Sequence, residues 1–125
     1  MGEMIGTMAR IKISLILDSG ARIGPGKVAL LESVRDTGSI SAAARAMGMD
    51  YKRAWTLIDT LNRAFDRALV ARTTGGSGGG GAVLTSFGGD VLERYRRIEH
   101  AATKLGGADL KVLERHALPE AGPKV

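Results

Sequence analysis

The chain contains no cysteine. Disulfide staples and thiolate metal sites are therefore excluded, and the composition suits a reducing cytoplasm. No apolar run approaches the ~20 residues of a membrane span, and Met1–Arg10 lacks the apolar core of a signal peptide. Histidine is scarce. His100 and His116 lie among Glu99, Glu114 and Arg115, where solvated side chains are expected rather than metal ligands or an acid–base pair. Asp50, Asp59 and Asp66 share a region, but no apolar pocket that would set one carboxylate against another can be read around them. The expectation is a protein that is not an enzyme and needs no metal or cofactor.

What is present is a chain of 125 residues, 44% hydrophobic, enough for one core and one appended element. The formal charge is +5, and its distribution is uneven. Residues 39–74 hold six Arg or Lys against three Asp, whereas residues 1–38 and 86–117 each carry an excess of one. More than half of the surplus falls on about a third of the chain, the pattern of a local electrostatic footprint.

That stretch contains the most informative pattern. Ser39 is a good N-cap, and Ile40, Ala43, Ala44 and Met47 then form one narrow apolar stripe of a short helix. Gly48 can take the positive φ of a sharp turn. Asp50 caps a second helix, whose Ala54, Leu57, Ile58 and Leu61 fall at i, i+3, i+4 and i+7 and face the core. Tyr51, Lys52, Arg53 and Thr56 are left pointing outward. Two short helices bent around one glycine, the second opening with exposed polar and basic side chains, make the layout of a helix-turn-helix DNA reader. Trp55 stands one step off the apolar stripe, placed to wedge between helices or to lie beside DNA.

The flanking elements complete a plan. Ile11, Ile13, Leu15 and Leu17 alternate with polar residues as a half-buried strand, Asp18-Ser19-Gly20 supplies a turn, and Ala21–Ile23 returns. Pro25 opens a supporting helix with Val28, Leu31 and Val34 inward and a stop at Gly38. Leu69–Ala71 and Ala82–Leu84 read as a hairpin around the polar, glycine-rich residues 72–81. Thr85 caps a long helix in which Phe87, Val91, Tyr95, Ile98, Ala102 and Leu105 make a continuous seam of roughly 30 Å. So long a seam needs a partner chain. Gly106 and Gly107 are expected to end it, with Asp109 capping one more short helix through Arg115 and Pro119–Val125 frayed. Arg94, Arg96 and Arg97 fall on its wet side, diluted by Glu93 and Glu99.

The glycine tract also fits two enzyme motifs. Gly76, Gly78 and Gly81 match a dinucleotide-binding spacing, and Gly75, Ser77 and Gly79 match a nucleophile elbow. Both motifs require a helix directly after the turn, and Ala82-Val83-Leu84 follows instead. No Gly-Lys-Ser or Gly-Lys-Thr of a P-loop occurs. At a DNA surface glycines let the backbone approach phosphates, with Arg72, Thr73, Thr74 and Ser77 supplying side chains.

Three segments in order and spacing, Gly38-Ser-Ile-Ser-Ala-Ala-Ala, Tyr51-Lys-Arg-Ala-Trp and Thr74-Gly-Gly-Ser-Gly-Gly-Gly-Gly-Ala-Val-Leu-Thr85, carry a resemblance over residues 10–105. The chain resembles the N-terminal DNA-binding domain of the molybdate-responsive ModE-type repressors, which are distantly related to the LysR-type winged helix. The resemblance implies a homodimer held largely by the long helix, on a palindromic operator. It also implies that Ser39, Ser41, Tyr51, Lys52, Arg53 and Thr56 lie at reading and phosphate-contacting positions, with the wing alongside. Family members that sense molybdate do so with C-terminal oxyanion-binding modules, a segment this sequence does not contain.

The expected fold is mainly α with small β: a winged helix-turn-helix with an N-terminal β-hairpin and a long C-terminal dimerisation helix. Its parts are a flexible tail 1–9, the winged domain 10–84, the dimerisation helix and a short helix over 85–117, and a flexible tail 118–125. The expected function is a cytoplasmic, dimeric, sequence-specific regulator of transcription on double-stranded DNA. The alternative is a protein-interaction module using the long helix without binding DNA.

Overall fold

The computed structural model describes residues 9–74 and 80–119; the expected tails up to Met8 and from Glu120, together with Ser77 and the rest of 75–79, lie outside them. The chain opens with a minimal antiparallel hairpin, β1 (Leu15–Ile16) on β2 (Arg22–Ile23), closed by Gly20 at φ 93°. The hairpin is shorter than the alternation suggested. Ile11, Ile13, Leu15 and Leu17 do turn inward in alternation, but the return strand stops at Gly24-Pro25, so residues before Leu15 have no ladder partner. The carbonyl of Ile13 instead accepts the Tyr95 hydroxyl at 2.7 Å.

Three helices form the centre. Helix α1 (Pro25–Thr37) begins with proline and ends at Gly38, whose φ of 77° lets its N–H donate to the Val34 carbonyl at 2.8 Å. Helix α2 (Ile40–Ala46) is capped by the Ser39 hydroxyl, which accepts from the Ala42 N–H at 2.8 Å. Gly48, at φ 67°, turns the chain into α3 (Tyr51–Ala64), where the Asp50 carboxylate accepts from the Arg53 N–H at 2.8 Å. Val28, Leu30, Leu31 and Val34 of α1, Ile40, Ala43 and Ala44 of α2, and Ala54, Ile58 and Leu61 of α3 are buried together. The alanines let α2 lie close between its neighbours.

The second hairpin pairs β3 (Val70–Thr73) with β4 (Gly81–Leu84), Val70 opposite Leu84 and Thr73 opposite Gly81. Arg72 and Thr73 are therefore strand residues rather than members of the connecting loop. Two links seat this wing. The Ala82 N–H donates to the Gly38 carbonyl at 2.9 Å. The Asn62 side chain accepts from the Leu69 and Val70 N–H groups at 2.7 and 3.1 Å and donates to the Val70 carbonyl at 3.1 Å. An amide near the end of α3 thus caps the start of the wing, a role its sequence position did not announce.

Helix α4 (Ser86–His116) corrects the expected division at Gly106-Gly107, because it runs unbroken for 31 residues, roughly 46 Å. Among the described residues no separate short helix follows. A glycine ends a helix by adopting positive φ, and among the described residues only Gly20, Gly38 and Gly48 do so. Gly106 and Gly107 stay helical between good helix formers, and a Cβ on Gly106 would come within 3.2 Å of Ile11 Cδ1. Glycine there admits the N-terminal segment alongside the helix.

The first turns of α4 are seated tightly. Thr85 accepts from the Gly88 N–H at 2.9 Å and donates to the Ala68 carbonyl at 2.7 Å. A Cβ on Gly88 would stand 2.1 Å from the Leu69 carbonyl oxygen, so only glycine allows the helix to rest on that backbone. The residues facing inward are Gly88, Leu92 and Tyr95. The expected seam is corrected at one member: Tyr95 is 1% exposed and sealed within its own domain, while Leu92, which the seam omitted, is buried beside it.

Candidate nucleic-acid interface

On α3 the buried residues Ala54, Ile58 and Leu61 occupy one side, which puts Lys52, Thr56 and Thr60 at the opposite pole and Tyr51 and Trp55 on the flank nearest the wing. Tyr51, Lys52, Arg53 and Thr56 are all exposed. Together with Asp50 and Leu57 they border an open hollow of 770 Å³. No described carboxylate stands within ion-pair distance of Lys52, Arg53 or Arg72. Asp50, beside them in sequence, has its carboxylate turned onto the helix N-terminus.

Between the start of α2, the start of α3 and the wing strands lies a 340 Å³ cleft lined by Ser39, Ser41, Tyr51, Arg72, Thr73 and Gly81. Arg72 crosses it, its guanidinium donating to the Tyr51 hydroxyl at 3.0 Å. That partner is neutral, so the contact orients the arginine without cancelling its charge. Four of the expected contact residues from α2 and the wing are thereby brought together with Tyr51, although 31 residues separate Ser41 from Arg72 in the chain. Ser39 is half-buried and its oxygen already caps α2, which leaves its O–H as a donor. Thr74 is exposed at the end of the described wing strand, and Ser77 lies outside the described residues.

Trp55 does two things at once. One edge lines a 190 Å³ crevice with Ile40, Ile58, Asn62, Val70 and Arg72, and 41% of the residue remains exposed on the same side as Tyr51. The surface therefore presents aromatic rings, hydroxyls and unneutralised cations on one convex helix and the adjacent hairpin. Phosphate attraction and base-edge contact need those groups. Among the described residues no three His, Asp or Glu side chains stand close enough to share a metal ion, and no helix is long and apolar enough to cross a membrane.

Along α4, Phe87, Val91, Ile98, Leu105 and Val112 fall within roughly 60° of the helix circumference at 3.6 residues per turn. Exposure rises from Phe87 and Val91, which are half-buried, through Ile98 at 47% to Leu105 at 87%, and Val112 is 44% exposed. Beside the row runs a 340 Å³ apolar groove lined by Leu15, Leu17, Ile23, Phe65, Phe87, Val91 and Ile98, together with Asp90, Arg94 and the buried Tyr95.

Comparison with known proteins places these elements. The model of the bacterial regulatory helix-turn-helix proteins of the lysR family matches residues 26–89, from the first turn of α1 to the first turn of α4. The chain is similar to the molybdenum-pterin-binding protein MopB of Rhodobacter capsulatus, 45% identical over 87 residues covering 70% of this chain and 32% of that protein. It is 40% identical over 87 residues to the DNA-binding transcriptional dual regulator ModE of Escherichia coli K12, covering 70% and 33%. To the molybdenum transport protein ModE of Azotobacter vinelandii it is 38% identical over 96 residues, covering 77% and 36%. The chain spans about a third of the length of these curated relatives. Its fold matches the CbnR DNA-binding domain in a solved complex with DNA, with a TM-score of 0.54, 22% identity, and coverage of 70% of this chain and 95% of that one.

Proposed function

This chain belongs to the lysR family of bacterial regulatory helix-turn-helix proteins, and we propose that it regulates transcription by binding duplex DNA as a homodimer. Each α3 enters a major groove, about one helical turn (~34 Å) from its twin. Lys52, Arg53 and Arg72 attract phosphates, Ser39, Ser41, Thr73 and Thr74 contact the backbone, and Tyr51 and Thr56 reach base edges. The second copy covers the row formed by Phe87, Val91, Ile98, Ala102 and Leu105. Tyr95 takes no part, because its own domain already holds it. A reader of genomic duplex works in the cytoplasm.

The observation that carries this reading is the concentration of uncommitted positive charge and exposed rings on α3 and β3, beside a cleft that gathers the hydroxyls of α2 and the wing. The exposed apolar row on α4 supports the dimer, since a single small core leaves Leu105 with nothing to cover it.

A mobility-shift titration against genomic fragments at several salt concentrations tests the proposal. A dimer that neutralises roughly six to ten phosphates loses about a thousandfold or more in affinity between 50 and 200 mM salt. A flat salt response, or no retention of DNA at all, rejects the reading in favour of an interaction module.

A further inference from the structure

Helix α4 is attached to its domain at two places separated by about two turns. The first is the Thr85–Gly88 seat on the start of β3. At the second, Tyr95 donates to the Ile13 carbonyl at 2.7 Å, and the Arg96 fork closes on two carboxylates. Its Nε and Nη2 donate to the two oxygens of Glu32, on α1, at 3.1 and 2.7 Å, and its Nη1 donates to Glu99 at 2.7 Å. The guanidinium also lies 5.6 Å from the centre of the Tyr95 ring. Beyond Glu99 the N-terminal segment still runs alongside, with Ile11 beside Gly106, and from Lys111 to its end every residue is exposed.

One attachment alone would leave a hinge, whereas two define an axis. The second joins α4 to α1, the helix against which α2 and α3 pack. We propose that Arg96 is a positioning residue that fixes the direction of α4 relative to the reading helix and thereby sets which half-site separation the dimer accepts. This rests on the dimeric DNA-binding reading given above. The leverage is large. About 20 residues follow Arg96 in α4, roughly 30 Å, so a tilt of ~10° at the clamp displaces the far end by about 5 Å, more than the ~3.4 Å rise of one base pair.

Arginine suits the task for a geometric reason. Its planar fork engages Glu32 through two parallel N–H groups and still has a third direction for Glu99, which a lysine ammonium cannot reproduce. Arg96→Lys therefore keeps the charge and loses the angle. Glu32→Gln removes the charge on the opposite side while preserving shape.

Two measurements test the inference. Since the chain has no cysteine, spin labels at Asp36→Cys on α1 and Arg115→Cys on α4, diluted into excess unlabelled chain, report one intrachain distance. The parent gives a narrow distribution, and both clamp variants broaden it. In the second, half-sites selected by the protein from a randomised duplex pool are reassembled at one helical turn and at one base pair more or less. The parent discriminates by about tenfold, and the variants by about threefold or less, with single half-site affinity retained within about twofold. Unchanged distances in both variants overturn the proposal, as does full discrimination by variants whose distances have broadened. A parent that stays monomeric or ignores DNA defeats the dimeric reading and the spacing role with it, while the label distances still decide whether Arg96 fixes the helix.

Discussion

Lys52, Arg53 and Arg72 stand on the proposed reading face without a carboxylate in reach among the described residues, whereas along α4 Arg94 meets Asp90 at 3.0 Å, Arg96 meets Glu32 and Glu99 at 2.7 Å, and Arg97 approaches Glu93 at 3.8 Å. The two surfaces have similar densities of arginine and lysine but differ in what the charge is for. Exposed ion pairs add little to stability, with a median of about 0–1 kcal/mol. Their consequence is electrostatic: each pairing removes a positive field that would otherwise extend a Debye length into solvent. On α4 Arg94 and Arg97 are spent on carboxylates of the same helix and Arg96 on holding that helix to α1, whereas Lys52, Arg53 and Arg72 leave their charge on α3 and the wing.

Removing charge from the two surfaces in parallel tests this contrast most severely. Lys52→Ala with Arg53→Ala lowers affinity for every duplex by about a hundredfold or more. It also reduces the slope of log affinity against log salt by about 3 to 4, since a dimer loses four contacts worth ~0.9 each. Arg94→Ala with Arg97→Ala removes the same formal charge and leaves affinity within about threefold, because that charge was already spent on Asp90 and Glu93. Equal losses in the two variants would show that net charge alone matters and that its placement does not.

Thr56 provides the next, smaller test, within the reading face itself. Thr56→Ala shifts preference by up to about tenfold at one or two base-pair positions, on the scale of ~1 kcal/mol per contact, and leaves non-specific affinity and the salt slope unchanged. Selection from a randomised pool by parent and variant reads this directly. A uniform loss over all sequences would reassign Thr56 to the phosphates.

Asp50 sharpens the contrast from the opposite direction, as a carboxylate embedded in the basic face. Its oxygen is occupied by the Arg53 N–H, so its purpose is the helix end rather than neutralisation of Lys52. Asp50→Ala costs about 1 kcal/mol of stability. Asp50→Ser keeps a capping oxygen, holds the urea midpoint, and raises DNA affinity severalfold by removing a charge that repels phosphate. If Asp50→Ser bound DNA more weakly than the parent, the carboxylate would have a part in recognition that its geometry does not suggest.

The portions of this architecture that could be read from the sequence are those decided within a few residues. Ser39, Gly48 and Asp50 punctuate α2 and α3 by local hydrogen bonds and one positive φ, so the helix-turn-helix was legible, as were the outward positions of Lys52, Arg53 and Thr56. The order of strands and helices, and hence the winged fold, followed from the same kind of signal. Residues that act through distant partners were not legible. Asn62 carries no local signal of its role, because the backbone it caps is supplied by the wing. Tyr95 fits an apolar seam by spacing, yet its hydroxyl is matched to a carbonyl 82 residues away and its ring is buried beside Leu92. Gly106 and Gly107 were read as a stop because glycine is permissive, and permissiveness does not compel a turn when Ile11 packs against the helix that continues.

The smallest effect concerns that buried ring, the α4 counterpart of the exposed Tyr51. Burial, reinforced by the Glu99 charge, raises the Tyr95 phenol above its ordinary value near 10, because an anionic oxygen there would be desolvated and would repel the carboxylate. A raised folded-state value means that the folded protein holds the phenolic proton more tightly than the unfolded chain. The stabilisation is therefore complete below about pH 10 and is lost as pH climbs through the folded value. Tyr95→Phe removes the hydroxyl with its bond to Ile13 and lowers stability by about 0.5–1 kcal/mol at neutral pH. Urea midpoints of parent and variant then differ by a constant amount up to about pH 10 and converge above it, since the variant has no proton to lose at that position. A gap that stayed constant through pH 11 would mean that the phenol is not sealed against the domain, and the second attachment of α4 would then rest on Arg96 alone.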